Sequence, residues 1–167
     1  MGVNRGKQFE EIVKEGFERV PMLSIDRIPD QMSGRKGSTN ICDFVAYKLP
    51  YIYYLECKTT YGNTLPFSNI TDNQWKGLLN KSQYPGVFAG IICWWIDRDV
   101  TLYIPIETLQ TMKMNGCKSI RYDIGMETSL EVYRIDSIKK RVFCEYDFND
   151  LVDRLSDSRR KTDGRHS

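Results

Sequence analysis

The chain has only one histidine, His166, close to its end, and its five cysteines at 42, 57, 93, 117 and 144 are odd in number, scattered and free of any CxxC pair. These shortages argue against a zinc site or a disulfide framework and suit a reducing cytosol. Long apolar runs are missing as well. The longest, VFAGIICWWI at 87–96, is too short to span a bilayer, and nothing at the start has the composition of a signal peptide. There is no internal repeat, no low-complexity linker and no strong charge excess: a net charge of +2 permits an anionic partner without demanding one. The expectation is a soluble cytoplasmic protein with no membrane partner.

What is present suffices for one substantial core. The 167 residues are 41% hydrophobic and 12% aromatic, which predicts a single domain over 1–155 followed by a basic, disordered tail at 156–167. KQFEEIVKEGFERV spaces Phe9, Ile12, Val13, Phe17 and Val20 for an amphipathic helix over 7–20, closed by Pro21. A short strand at 22–28 precedes PDQMSGRKGSTN at 29–40, a turn-rich loop with Arg35 and Lys36 between glycines. CDFVAYKL and YIYYLECK flank a turn near Leu49 and Pro50 and read as an antiparallel hairpin, with Asp43 opposite Glu56. A second helix is expected over 71–83, a central strand apolar on both faces at 87–96, a strand at VTLYIP and a helix at 106–114. Strand character returns in LEVYRI and RVFCEY, and a short helix is expected at 148–155. The class is α/β.

One stretch demands an explanation. The apolar run YIYYL leads straight into Glu56, Cys57 and Lys58, and residues two apart in a strand share a face. A carboxylate and an ammonium therefore emerge together from a strand headed for the core, and the hairpin sets Asp43 beside them. Two neighbouring carboxylates repel unless a proton or a cation lies between them, and a hard divalent ion such as Mg²⁺ prefers oxygen ligands. Ligation by Asp43, Glu56 and the backbone carbonyl of Cys57, with Lys58 holding or polarising water and offsetting phosphate charge, composes a phosphodiester hydrolase site. Each residue also has an ordinary structural use: E-x-K in a strand is commonly a solvated pair, and Asp43 suits a turn or strand end.

CDF…LECK resembles the D-x(n)-E-x-K signature of the PD-(D/E)xK nuclease superfamily. Four segments, NRGKQFE at 4–10, GSTNICDF at 37–44, ECKTTYGNTLPFSNITDNQ at 56–74 and NGCKSI at 115–120, are similar, in order, to RecU-type Holliday junction resolvases. That resemblance implies a restriction-endonuclease-like fold, a central mixed sheet flanked by helices. It implies a homodimeric, Mg²⁺-dependent (or Mn²⁺-dependent) endonuclease that resolves four-way DNA junctions in recombination and repair, in a phage-like form acting in the host cytoplasm. It carries metal ligation to Asp43 and Glu56, water or phosphate activation to Lys58, and a metal contact, directly or through water, to Glu10. It places Gln74 near the catalytic centre, and Arg5 and Thr39 against phosphates; Arg35 and Lys36 stand where the family has a stalk. Glu10 also reads as a favourable charge in a first helical turn, Gln74 as N3 of a capping box begun by Thr71, Thr39 as a turn residue and Arg5 as a solvated cation. The interval from Ile28 to Cys42 is too short for the family's projecting stalk. Other readings therefore stay open: a restriction-type or flap nuclease of the same superfamily, or a non-catalytic DNA-binding module.

Overall fold

The computed structural model of the chain describes residues 4–29, 40–124, 129–139 and 144–163. Its first helix, α1, runs Arg5–Glu18, two residues earlier than the periodicity predicts, because the Asn4 side chain accepts the Lys7 N–H and caps it there. Phe9, Val13 and Phe17 form its buried stripe. The strands β1 (Ser24–Arg27), β2 (Phe44–Lys48) and β3 (Tyr51–Thr60) follow as an antiparallel meander. After the short β4 (Thr64–Pro66), helix α2 (Asp72–Ser82) crosses over to β5 (Val87–Trp95), which pairs parallel to β3. Strand β6 (Val100–Pro105) and helix α3 (Ile106–Met114) come next, then β7 (Ser119–Arg121), β8 (Tyr133–Ile135), β9 (Ser137–Lys139), β10 (Cys144–Tyr146) and helix α4 (Asn149–Asp163).

Six strands form one mixed sheet in the order β1-β2-β3-β5-β6-β8. All nine residues of β5 are buried, as expected of an apolar run with a strand on each side. Helices cover both faces. Phe9, Val13 and Phe17 of α1 and Leu151, Val152 and Leu155 of α4 pack with Tyr53, Leu55 and Cys57 of β3. Trp75 and Leu78 of α2 and Leu109 and Met112 of α3 pack on the opposite face with Ala89, Ile91, Cys93 and Trp95 of β5. The alternation along β3 thus sends its odd residues towards α1 and α4, which leaves Glu56 and Lys58 for the α2 side.

Two features differ from the sequence reading. Helix α4 continues to Asp163, eight residues past the expected end at 155, so most of the stretch read as a disordered tail is helical. The reason is local pairing together with an anchor that net charge does not reveal. Arg154 pairs with Asp150 at 2.7 Å and Arg160 with Asp157 at 3.6 Å, while Arg159 lies 5.1 Å from the Phe88 ring centroid and donates to the Val87 carbonyl at 3.0 Å. Strands β8 and β10 fall within the expected LEVYRI and RVFCEY segments, whereas β4, β7 and β9, of three residues each, have no counterpart in the sequence pattern. All five cysteines are free, four of them buried. Among the described residues no helix is long and apolar enough to cross a membrane.

Candidate active site

The β2–β3 hairpin builds the site. Its register pairs Phe44 with Leu55, so the next pair outward is Asp43 with Glu56. Asp43 is clamped by its backbone on both sides: its N–H donates to the Leu55 carbonyl at 3.1 Å and its carbonyl accepts the Ile28 N–H at 2.8 Å. Its side chain then turns back on β3, where Oδ2 accepts the Cys57 N–H at 2.7 Å. Lys58 Nζ lies 2.8 Å from Glu56 Oε1. The pair is no solvated surface contact, since Glu56 is only 3% exposed.

Helix α2 supplies the third wall. Gln74 Nε2 donates to Glu56 Oε1 at 2.6 Å, and Gln74 Oε1 accepts from Lys58 Nζ at 3.2 Å. The same glutamine completes the capping box with Thr71, its N–H donating to Thr71 Oγ1 at 3.2 Å and its Oε1 accepting the Thr71 N–H at 3.0 Å. The two uses read for Gln74 in the sequence, cap and site residue, are therefore compatible in geometry. The helix comes close enough because position 77 is glycine: a Cβ there would stand 2.2 Å from Ile41 Cγ2 and 2.6 Å from Ile41 Cβ. Ile41 lies two residues before Asp43, and Asn73 Nδ2 donates to the neighbouring Asn40 carbonyl at 3.3 Å. Glycine and asparagine together seat α2 against the approach to the carboxylate.

The electrostatics follow from burial. The Glu56 carboxyl is pushed up to about 8, first by desolvation and then by the charge of Asp43, with Lys58 opposing. Asp43 is also raised, by desolvation above all, against the Cys57 N–H bond and the Lys58 charge, which lower it. Two adjacent carboxyls, Glu56 buried and Asp43 half-buried, that resist ionising side by side are a donor set suited to a hard divalent cation, which would take the place of the proton. Among the described residues no three His, Cys, Asp or Glu side chains converge as ligands, so a cation here would complete its shell from backbone, water or substrate.

Glu10 is placed differently from the other acids. With α1 beginning at Arg5 it stands in the second helical turn, so the first-turn reading does not apply. Its carboxylate is ion-paired with Arg27 of β1, seventeen residues away, a partner that nothing in the local sequence announces. Burial raises the Cys57 thiol well above its ordinary range, and the charges of Asp43, Glu56 and, less, Glu10 add to that shift. Arg5 is the half-buried first residue of α1, and Arg35, Lys36 and Thr39 lie outside the described residues. On the flank beside Thr71, a groove is lined by Phe67, Trp75, Lys113 and Lys118; both lysines are exposed, and Lys113 lies 4.3 Å over the Trp75 ring. Local spacing does not point to these cations because Lys113 stands in the last turn of α3 and Lys118 in the α3–β7 connection, and only the packing of α3 beside α2 and the β4–β7 pairing bring them here.

No protein-family model and no curated protein matches the chain. Among solved structures it is similar to Hjc, a Holliday junction resolvase from the archaeal hyperthermophile Archaeoglobus fulgidus, with a TM-score of 0.47 and 14% identity over 80% of this chain and 84% of that one. The function is accordingly read from the residues of the site itself.

Proposed function

We propose that this protein is a metal-dependent endonuclease that hydrolyses DNA phosphodiester bonds, with four-way junctions as its substrate. The observation that carries the reading is the hairpin register that sets Asp43 beside Glu56, with Lys58 Nζ 2.8 Å from the Glu56 carboxylate in a buried setting. Asp43, Glu56 and the Cys57 backbone carbonyl are the residues that would hold Mg²⁺ or Mn²⁺. When bound, the ion supplies Lewis-acid polarisation of the phosphate and a more acidic water.

The chain's own residues supply the rest. Lys58 orients the attacking water and offsets charge that develops on the phosphate. Gln74 holds Lys58 and Glu56 in one arrangement. Glu10 and Arg27 form a neighbouring pair that biases the field at the site. Arg5, Arg35, Lys36 and Thr39 are proposed phosphate contacts from the family resemblance, and Lys113 and Lys118 are added to them by their position beside Thr71. Such contacts carry most sequence-independent affinity for DNA. Cutting two opposed strands of a junction symmetrically calls for two sites related by a two-fold axis, hence a homodimer.

The deciding experiment is cleavage of a synthetic four-way junction in Mg²⁺ beside matched duplex and flap substrates. Preferred, paired incisions in the junction are expected. Cleavage of the flap or duplex instead would keep the chemistry and replace the substrate, and no cleavage of any DNA would remove the nuclease reading.

A further inference from the structure

We propose that Thr71 is a positioning residue of the active site, its backbone N–H fixing the orientation of the Gln74 amide that holds Lys58 and Glu56 in register. The catalytic consequence rests on the nuclease reading; the positioning itself does not.

A primary amide has one accepting end and one donating end, and here both are committed. Two donors, the Thr71 N–H at 3.0 Å and Lys58 Nζ at 3.2 Å, converge on Gln74 Oε1, while Nε2 faces the Glu56 carboxylate at 2.6 Å. Turning the amide over would set its NH₂ against an ammonium and a backbone N–H, and its oxygen against a carboxylate. Only one orientation satisfies all the partners. In an ordinary capping box the side chain at N3 merely returns to the N-cap N–H. In this protein the same oxygen also receives the lysine, so the start of α2 and the charged pair on β3 share one acceptor. Losing the Thr71 N–H would leave the amide held only by Lys58 and Glu56 themselves, so that it would shift with the charged pair and no longer anchor it to the start of α2, with no change in which residues of the pair are present.

The Thr71 backbone permits a direct test. Its φ of −67° matches the value that proline fixes, and Ile70, at φ −103° and ψ 117°, is extended as a residue before proline prefers. Thr71→Pro therefore removes the N–H with little backbone strain, whereas Thr71→Ala removes only the hydroxyl. Both lose the ordinary hydroxyl cap, so a purely structural role predicts equal behaviour. Positioning predicts that kcat of Thr71→Pro falls at least tenfold below that of Thr71→Ala at unchanged KM, measured in Mg²⁺ on whichever DNA the wild type cleaves. Thr71→Ser, which keeps both groups, should rescue the rate.

The second measurement needs no metal and no DNA. In the NMR spectrum of the metal-free protein, the Gln74 side-chain NH₂ pair should be shifted and protected from exchange. The pair is identified by its disappearance in Gln74→Glu. It should persist in Thr71→Ala and be measurably shifted and less protected in Thr71→Pro, where only Glu56 still holds the NH₂. Equal kcat in the two variants, or Gln74 signals unmoved by proline, overturns the proposal. If Thr71→Pro does not fold, Gln74→Glu decides: it keeps an acceptor for the Thr71 N–H but replaces the donor to Glu56 by a second carboxylate, so some loss of stability together with at least tenfold lower kcat is expected, and wild-type kcat overturns the proposal. A wild type that cleaves no DNA would instead sink the nuclease reading, while the amide signals still test the positioning.

Discussion

The amide of Cys57 donates to the carboxylate of Asp43 across the hairpin at 2.7 Å, and this one bond fixes how the two halves of the site face each other. It uses one oxygen of Asp43, and the Lys58 charge and a hydrogen bond with Glu56 act on the same carboxyl. A carboxylate ligand held by a backbone donor keeps its direction when its charge is compensated, which is the preorganisation that a metal-assisted hydrolysis needs.

Removing the charge while keeping the shape tests the pair directly. Asp43→Asn and Glu56→Gln should each lower Mg²⁺-dependent cleavage by at least ~100-fold and leave circular dichroism and most DNA affinity unchanged, because phosphate contacts elsewhere supply the binding. Lys58→Ala should cost about 10²–10³-fold in kcat, as expected when a transition-state partner is lost. Wild-type-like cleavage by either carboxylate variant would refute the assignment.

The raised carboxyl of Glu56 makes a linked prediction about pH. Its folded value of about 8 lies above the ordinary 4.5, so the folded state binds more protons than the unfolded state between those values. The stability it contributes is complete below pH 4.5 and is lost as the pH rises through about 8. The raised Asp43 adds a change of the same sign. Without metal, the melting temperature of the wild type should fall relative to Glu56→Gln between pH 5 and pH 9. Mg²⁺ should recover more of that loss in the wild type than in the variant. Parallel melting curves for both proteins across this range would contradict the buried charge.

Close approach of α2 to the segment before Asp43 predicts an unusual glycine effect. Gly77→Ala would ordinarily favour a helix by about 1 kcal/mol. Here the new Cβ meets Ile41 at 2.2 Å, so overpacking of about 1–3 kcal/mol should win and lower the thermal midpoint. The double variant Gly77→Ala with Ile41→Ala should recover part of the loss. If the single variant is more stable than the wild type, the packing described for α2 is wrong.

At the other end of the chain, truncation after Leu155 removes the Arg159 bond to Val87 and its stacking on Phe88. A loss of about 1–3 kcal/mol is expected, which for a protein of this size lowers the midpoint by roughly 2–4 °C per kcal/mol. Arg159→Ala alone should reproduce much of it. An unchanged melting curve would mean that the last helical turns contribute no anchoring.

The α/β class, the amphipathic stripe of α1, the central strand and the hairpin were all legible because each depends on local periodicity. Asp43, Glu56 and Lys58 could be brought together on paper for the same reason: the hairpin is local and its turn is marked by Leu49 and Pro50. Gln74 could be named but its dual use could not, since one acceptor shared by Thr71 and Lys58 depends on how α2 sits on the sheet. The pairing of Glu10 with Arg27, the glycine contact at Ile41 and the anchoring of Arg159 escaped for a common reason. Each joins residues from different elements through tertiary packing, which no spacing rule encodes. The extent of α4 is not legible from composition, which registers the alternating charges of this run but not the ion pairs that they form along a helix.

The hairpin register has a kinetic consequence as well. Asp43, Cys57, Lys58, Thr71 and Gln74 all fall within one stretch of chain, and the bonds among them close short loops. Loop closure of that kind costs little entropy and precedes the long-range docking of α4. Mutations in the hairpin should therefore slow refolding, whereas lesions at the Arg159 anchor should chiefly hasten unfolding.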